Sequence, residues 1–259
     1  MQTHRKIAVA GATGRAGRHV VDLLQADGHD VVSMSRSTGV DVVTGEGLAE
    51  ALAGVTCVID VTTPPTPDEE AATAFFTAAA RNLHEVGDRA GVERIVVASI
   101  IGIDRFTAGY YAAKIAQERA MLLGPIPVRI LRAAQFHEFV PQLVDWGRQG
   151  EVSYVPRMRT QLVAARTVAE ALVGLANGSA PARESSERPF PEVAGPREES
   201  LVEVAKLLAA RRGDPVRIEG VSNPPDLPES HLFETDALLP GPDATLAGPT
   251  FEEWVDSTS

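Results

Sequence analysis

The sequence predicts an α/β fold in which helices wind doubly around a parallel sheet, followed by a small carboxyl-terminal lobe. Three observations lead to this prediction. Apolar, strand-like runs alternate with helical patterns from Ile7 to Leu131, as is typical of doubly wound sheets. The run Arg94–Ser99 is rich in β-branched residues, as expected of a central strand buried on both faces. A glycine-rich turn, Gly11–Gly17, separates the first apolar run from the first helical pattern.

The elements of this alternating part follow from local signals. Gly28 is a stop signal for the first helix, and Asp68 opens a helix with acidic residues where the helix dipole favours them. The predicted strands are Ile7–Ala10, Val31–Met34, Val40–Val43, Cys57–Val61, Arg94–Ser99 and Val128–Leu131. The predicted helices run from about Gly14 to Asp27, over Leu48–Leu52, from Asp68 onward, and from Tyr110 to about Leu123.

The rest of the chain has a less regular pattern. Its predicted elements are a strand fragment and helix over Val163–Ala176, an amphipathic helix over Leu201–Ala210 and a short helix near Trp254. The proline-rich tail from Asn223 is otherwise expected to be loop. We therefore predict a main domain over residues 1–180 and a small lobe over residues 181–259, packed on the same core.

Composition and charge limit the possible classes of protein. Hydrophobic residues make up 44% of the chain and charged residues 23%, as in ordinary globular proteins. The net charge of −11 argues against nucleic acid as a partner, because phosphate contacts need clustered cations. No apolar run could span a bilayer and no basic-then-apolar leader is present, so we expect no membrane partner. The single cysteine, Cys57, excludes an intrachain disulfide and favours a cytoplasmic setting.

No metal site is expected either. The six histidines have no ligand-like spacing. A zinc helix starting at His137 would need a second histidine four residues later, where the sequence has Pro141. The oligomeric state leaves no readable signal in the sequence.

The glycine-rich turn predicts a dinucleotide site. Gly11 permits a tight turn, Gly14 lets the main chain approach a pyrophosphate, and Gly17 lets the helix pack closely on the strand. The unpaired amides and the positive end of the helix dipole then face the phosphates. A strand before the turn and a helix after it supply the structural context that this motif requires.

Residues at the ends of the next strands indicate which dinucleotide binds. An acidic residue after the second strand would bind the ribose of NAD, whereas this sequence has Ser35 and Arg36, which suit the 2′-phosphate of NADP. NADP(H) is therefore expected, and NAD(H) is the less favoured cofactor. Asp41 either flanks the adenine or is an exposed acid in a turn. The loop that begins at Thr62 follows a parallel strand and should run beside the cofactor.

A catalytic group is predicted on the helix that follows Arg94–Ser99. Tyr110 and Lys114 lie four residues apart, so their side chains share a helix face. A nearby ammonium favours the phenolate and should lower the pKa of Tyr110. Such a phenol can pass a proton to a carbonyl oxygen while hydride arrives from a nicotinamide. Ser99, at the carboxyl end of its strand, can hydrogen-bond the same oxygen.

The glycine turn, Ser99–Gly102 and Tyr110–Lys114 together resemble the atypical short-chain dehydrogenase/reductases, and within them the NmrA-like NAD(P)-binding branch. The similarity continues through Arg132–Phe136 and Val168–Leu172 and is nearly full-length. It implies a Rossmann core, NADP(H) as ligand, a carboxyl-terminal substrate lobe, and Ser99, Tyr110 and Lys114 as the catalytic set. It also implies that the pyrophosphate contacts come from Gly11, Thr13, Gly14, Arg15, Ala16 and Gly17. In an alternative register the position of the catalytic hydroxyl falls on Ile101, which has none.

These features favour an NADPH-dependent reductase of a small carbonyl or quinone-like substrate. Lys114 would then bind the nicotinamide ribose, Tyr110 would donate a proton, and Ser99 would orient the substrate oxygen. One alternative is a non-catalytic NADP-binding regulator that reports the redox state to a protein partner, as several NmrA-like proteins do. The other is an NAD-dependent epimerase or dehydratase, which would use the same tyrosine and lysine.

Overall fold

A computed structural model describes residues 4–178, 190–224 and 228–258. The strands are β1 Lys6–Ala10, β2 Asp30–Met34, β3 Cys57–Asp60, β4 Arg94–Ile100, β5 Val128–Ala133, β6 Arg148–Gln149, β7 Val152–Pro156, β8 Arg159–Thr160, β9 Glu192–Ala194, β10 Glu199–Ser200, β11 Arg217–Val221 and β12 Thr245–Leu246. The α-helices are α1 Arg15–Ala26, α2 Leu48–Ala51, α3 Glu69–Ala90, α4 Gly109–Leu123, α5 Val140–Trp146, α6 Ala165–Asn177, α7 Leu201–Arg212 and α8 Phe251–Thr258.

The predicted parallel α/β sheet is confirmed. Its seven strands lie in the order β12-β9-β5-β4-β3-β1-β2. Strand β1 pairs in parallel with β2, where Lys6 faces Asp30, and with β3, where Ile7 faces Cys57. The chain order reverses at β1, because β2 lies on one side of it and β3 on the other. Open α/β sheets bind ligands at such a switch point, beyond the carboxyl ends of the strands.

The described residues fall into two compact units. Unit 1 takes the described parts of Met1–Ser99, Ala108–Leu131 and Val168–Phe190, and unit 2 takes Ile100–Thr107, Arg132–Thr167 and the described parts of Pro191–Ser259. The core of unit 1 includes the buried side chains of Ala8, Val58, Leu83 and Ile95. The predicted boundary between residues 180 and 181 lies outside the described residues, so the division into a main domain and a lobe stays a prediction.

One predicted strand, Val40–Val43, is wrong. This segment forms a turn in which an Asp41 carboxylate oxygen accepts hydrogen bonds from the amides of Val43, at 2.7 Å, and Thr44, at 3.3 Å. The Asn82 side chain of α3 donates to the carbonyl oxygens of Val42 and Val43 at 2.9 and 2.7 Å. Val40 and Val42 are buried, but side chains satisfy the backbone of this segment in place of a neighbouring strand.

Unit 2 contains strands that the sequence analysis did not identify. Strand β7 pairs in parallel with β11 and antiparallel with β6, which makes a separate three-stranded sheet. The predicted helices over Leu201–Ala210 and near Trp254 are present as α7 and α8, and both contribute to the apolar core of this unit. No α-helix in the described part of the chain combines the length and apolarity needed to cross a membrane.

Candidate functional site

The glycine turn has the geometry that its sequence predicts. Gly11 has a φ of +81°, and a Cβ added there would lie 2.8 Å from the carbonyl oxygen of Val61. A Cβ added to Gly17 would lie 2.0 Å from the carbonyl oxygen of Gly11, so α1 packs against the turn as closely as backbone allows. Gly14 precedes α1, and its amide donates to the Gly11 oxygen at 2.9 Å. Gly11 and Gly17 therefore require glycine for a steric reason, whereas a Cβ on Gly14 would lie 3.2 Å from the Gly11 oxygen.

The amino terminus of α1 is suited to bind an anion. Gly14 provides no side-chain cap, and the first turn of the helix has no acidic residue, so nothing there offsets the positive end of the dipole. The turn is held in place because the amides of Gly11 and Ala12 donate to the Met34 oxygen at the end of β2, at 3.0 and 3.3 Å. Thr13 and Arg15 are exposed at this end, whereas Ala16 and Gly17 are buried against the turn.

The end of β2 carries a compact group of hydroxyls. Ser35 begins a 3-10 helix over Arg36–Thr38, and its amide donates to the Thr38 hydroxyl at 2.9 Å. The Ser35 and Ser37 hydroxyls lie 2.8 Å apart. Arg36 is exposed and, among the described residues, no ion pair involves it. The arrangement offers a guanidinium and several hydroxyls to a ligand, while the Asp41 carboxylate is occupied by amides of its own turn.

The loop after β3 lies directly beside the glycine turn, and its predicted place beside the cofactor stays a prediction. A Cβ added to Gly11 would lie 3.1 Å from the Thr62 Cα. The Thr62 amide and hydroxyl both donate to the Asp60 Oδ1, at 2.9 and 2.7 Å. The side chain of Asp60, the last residue of β3, is fully buried and fixes the start of this loop.

Two of the predicted catalytic residues, Ser99 and Lys114, lie near the end of β4. The Lys114 Nζ donates to the Ala98 oxygen at 2.8 Å, one residue before Ser99. The Ser99 side chain is only 4% exposed, and its hydroxyl has no hydrogen-bond partner among the described residues. The Tyr110 ring packs against the Phe76 ring with a centroid distance of 6.0 Å, and the Lys114 Nζ lies 4.7 Å from that same centroid. Phe76 therefore contacts both residues of the pair.

Burial determines the acidity of the two titratable side chains. It raises the pKa of Tyr110 to about 12 and lowers the pKa of Lys114 to about 8. Carboxylates at Asp60 and Glu118 act against the second shift, because they favour the ammonium. The expectation that Lys114 lowers the pKa of Tyr110 is wrong for this structure, since desolvation of the phenol dominates. Tyr110 consequently holds its proton at neutral pH.

Three residues of this group were not identified as functional from the sequence. Phe76 is a fully buried core residue that also contacts both Tyr110 and Lys114. Gln117 accepts a hydrogen bond from the Lys114 ammonium and donates to the Asp60 Oδ2 at 3.0 Å. Two signals could have revealed this link. An acid ends an otherwise apolar strand at Asp60, and Gln117 shares a helix face with Lys114.

A glycine turn between a strand and a helix, at the switch point of a doubly wound sheet, defines a nucleotide-binding α/β protein. The model of the NAD(P)H-binding family matches residues 11–175, which is more than half of the chain. The protein belongs to this family, and the prediction of a pyridine dinucleotide as ligand agrees with it. No curated protein matches the sequence.

Solved structures support the fold. The Bordetella bronchiseptica enzyme WbmH, in complex with NAD+, has a TM-score of 0.69 and 16% identity, with 97% of this chain and 96% of that chain covered. A short-chain dehydrogenase/reductase superfamily protein from Agrobacterium tumefaciens with bound NAD has a TM-score of 0.66, 19% identity and coverages of 97% and 95%. The GDP-mannoheptose C4 reductase MlghC of Campylobacter jejuni, with NADP bound, has a TM-score of 0.65 and 15% identity, with 85% of this chain and 88% of that chain covered.

Proposed function

We propose that this protein is an NADPH-dependent reductase that acts on a small carbonyl or quinone-like substrate in the cytoplasm. The observation that carries the proposal is the group at the end of β4, where a buried hydroxyl without a partner, a protonated phenol and an ammonium belong to the same unit as the glycine turn. Buried hydroxyls normally have a hydrogen-bond partner, so an unpaired Ser99 Oγ suits a ligand oxygen.

The choice of NADP over NAD rests on the end of β2. The Arg36 guanidinium is exposed, and the adjoining hydroxyls of Ser35 and Ser37 can donate to a phosphate. A charge-assisted hydrogen bond contributes about 1.5–3 kcal/mol, which corresponds to about a tenfold to more than a hundredfold change in affinity. The pyrophosphate would lie against the turn formed by Gly11–Gly17.

Ser99, Tyr110 and Lys114 have different roles in the proposed reduction. NADPH, held at the Gly11–Gly17 turn, would supply the hydride for the carbonyl carbon. Tyr110 donates its phenolic proton to the carbonyl oxygen, so that an alcohol results, and the phenolate regains a proton from solvent. The Ser99 hydroxyl donates to the same oxygen and orients it. Lys114, whose ammonium is held on the carbonyl oxygen of Ala98, would bind the nicotinamide ribose.

The test is NADPH oxidation against a panel of aldehydes, ketones, quinones and nucleotide sugars. The last class is included because a protein of similar fold is a GDP-mannoheptose C4 reductase. Tyr110→Phe should lower kcat by about 10²–10⁴-fold, as expected for a lost proton donor, without loss of NADPH binding. Tyr111→Phe is the matched control, because it removes the neighbouring phenol from a different helix face and should retain most of the activity. Equal activity of wild type and Tyr110→Phe would contradict the proposal.

A second candidate is a non-catalytic NADP-binding redox sensor, in keeping with the resemblance to the NmrA-like branch. The observation that favours it is the Lys114 ammonium, which already donates to the Ala98 oxygen and to Gln117. A sensor would bind NADPH and NADP+ with different affinities but show no turnover with any member of the panel. Tyr110→Phe would then leave both affinities unchanged.

A further inference from the structure

A chain of buried polar groups links the loop after β3 to Lys114 on α4. The Asp60 Oδ1 accepts from the amide and hydroxyl of Thr62, at 2.9 and 2.7 Å. Its Oδ2 accepts from the Gln117 Nε2 at 3.0 Å. The Gln117 Oε1 in turn accepts from the Lys114 ammonium, which also donates to Ala98. The side chains of Asp60, Gln117 and Lys114 are at least 95% buried, with exposures of 0%, 1% and 4%.

The hydrogen-bonding capacity of Asp60 and Lys114 fixes the orientation of the Gln117 amide that lies between them. A carboxylate can only accept hydrogen bonds and an ammonium can only donate them. The amide of Gln117 must therefore turn its nitrogen to Asp60 and its oxygen to Lys114. The same carboxylate uses its other oxygen for Thr62, so a single side chain orders both the cofactor-side loop and the lysine.

The negative charge of Asp60 and the positive charge of Lys114 stabilise each other within this series of hydrogen bonds. A buried ammonium or carboxylate is strongly disfavoured unless it is paired or hydrogen-bonded. Four elements surround the Lys114 ammonium: Asp60 on β3, Ala98 on β4, the Phe76 ring on α3, and Glu118 on α4 itself. Of these, Asp60 and Glu118 carry negative charge, and Asp60 is connected to the ammonium through the oriented amide of Gln117.

We propose that Asp60 and Gln117 are positioning residues, which keep Lys114 charged and fixed at the end of β4 and tie it to the Thr62 loop. This proposal rests on the proposed function for the catalytic role of Lys114. The charge and the location of Lys114 do not depend on that function. Asp60 acts on Lys114 through Gln117 and not by contact with a substrate. The loop beside the glycine turn and the lysine on α4 are thereby parts of one hydrogen-bonded unit.

The direct test is the pKa of Lys114, measured by NMR on protein labelled with 13C at lysine. The sequence has only three lysines, Lys6, Lys114 and Lys206, so the signals are readily assigned and the two others serve as internal references. Burial places the pKa of Lys114 at about 8. Asp60→Asn removes the negative charge and should lower this pKa by about one pH unit, as expected for loss of a nearby opposite charge.

A double variant separates positioning from a merely structural role. In Asp60→Asn/Gln117→Glu the carboxylate moves one link closer to Lys114. The new amide at position 60 can still accept from Thr62 with its oxygen and donate to the glutamate with its nitrogen. This variant should restore the pKa of Lys114 to the wild-type value or above it, about 1–3 pH units higher than in Asp60→Asn. Gln25→Glu, the same substitution at an exposed site on α1, should leave it unchanged.

The possible results distinguish this inference from the proposed function. A fall in Asp60→Asn followed by recovery in the double variant supports the positioning role, whether or not any substrate is reduced. If Asp60→Asn does not fold but the double variant folds with a wild-type or higher Lys114 pKa, the role is supported as well. An unchanged pKa in Asp60→Asn, or no recovery in the double variant, overturns it. If the pKa moves while NADPH affinity keeps its wild-type pH dependence, positioning stands and the proposed ribose contact of Lys114 fails.

Discussion

Replacing Gly17 by alanine should disable dinucleotide binding while leaving the chain folded. The added Cβ would lie 2.0 Å from the Gly11 oxygen and 2.9 Å from the Ala12 Cα. Because Cβ atoms essentially never approach closer than 3.0 Å, α1 would have to move about 1 Å away from the turn. A shift of this size would break hydrogen bonds to the pyrophosphate, and each charge-assisted one contributes about 1.5–3 kcal/mol, or about tenfold to more than a hundredfold in affinity. We therefore expect the affinity for NADPH to fall by about 10²-fold.

Stability should change much less. Overpacking of this kind costs about 1–3 kcal/mol of unfolding free energy, and each kcal/mol lowers Tm by about 2–4 °C in a chain of roughly this size. Gly174→Ala is the matched control. A Cβ there meets nothing within 4 Å, and the residue lies in α6, where alanine is favoured over glycine by about 1 kcal/mol. Calorimetric titration with NADPH and thermal unfolding measure the two effects. Binding of NADPH by Gly17→Ala within threefold of wild type would refute the steric argument.

Three further outcomes follow from the geometry. Arg36→Ser should weaken NADPH binding by about tenfold or more and NADH binding hardly at all, measured by calorimetry, and equal losses would refute the 2′-phosphate assignment. The pKa of Lys114 is lowered on folding from 10.5 to about 8, so the unfolded chain binds the extra proton between these values and stability rises with pH in that window. Relative to Lys114→Met, the wild-type free energy of unfolding should gain about 2–3 kcal/mol between pH 7 and pH 10, and parallel curves would contradict this. Asp68→Ala removes the side chain that accepts from the Ala71 amide at 3.0 Å and should cost about 1 kcal/mol in denaturant unfolding, with no effect on NADPH affinity.

The sequence determines the parts of the site that depend on local conformation. The glycine turn could be predicted because the steric reasons for Gly11 and Gly17 operate within a few residues or against the adjoining strand. The apolar run of β4 and the helix that follows it were recognisable for the same reason. The Lys114 ammonium of that helix donates to Ala98 of β4, while the catalytic role of Ser99, Tyr110 and Lys114 stays a prediction.

Features that depend on distant residues could not be predicted in this way. Val40–Val43 has the composition of a strand, yet the Asn82 side chain takes the place of a neighbouring strand, and that residue lies about 40 positions along the chain. The pKa of Tyr110 depends on its burial against Phe76, which no local pattern encodes. The hydrogen bond between Asp60 and Gln117 joins positions 57 residues apart. Strands β7 and β11 pair across a similarly long separation, so neither was identified.

The most direct test of the account is calorimetric titration of the wild-type protein with NADPH and NADH under the same conditions. Both dinucleotides should bind, because the turn at Gly11–Gly17 would contact the pyrophosphate that they share. NADPH should bind at least about tenfold more tightly, because only NADPH has the phosphate that Arg36 would meet. Absence of heat with either dinucleotide, confirmed by an unchanged Tm at millimolar ligand, would contradict the central claim.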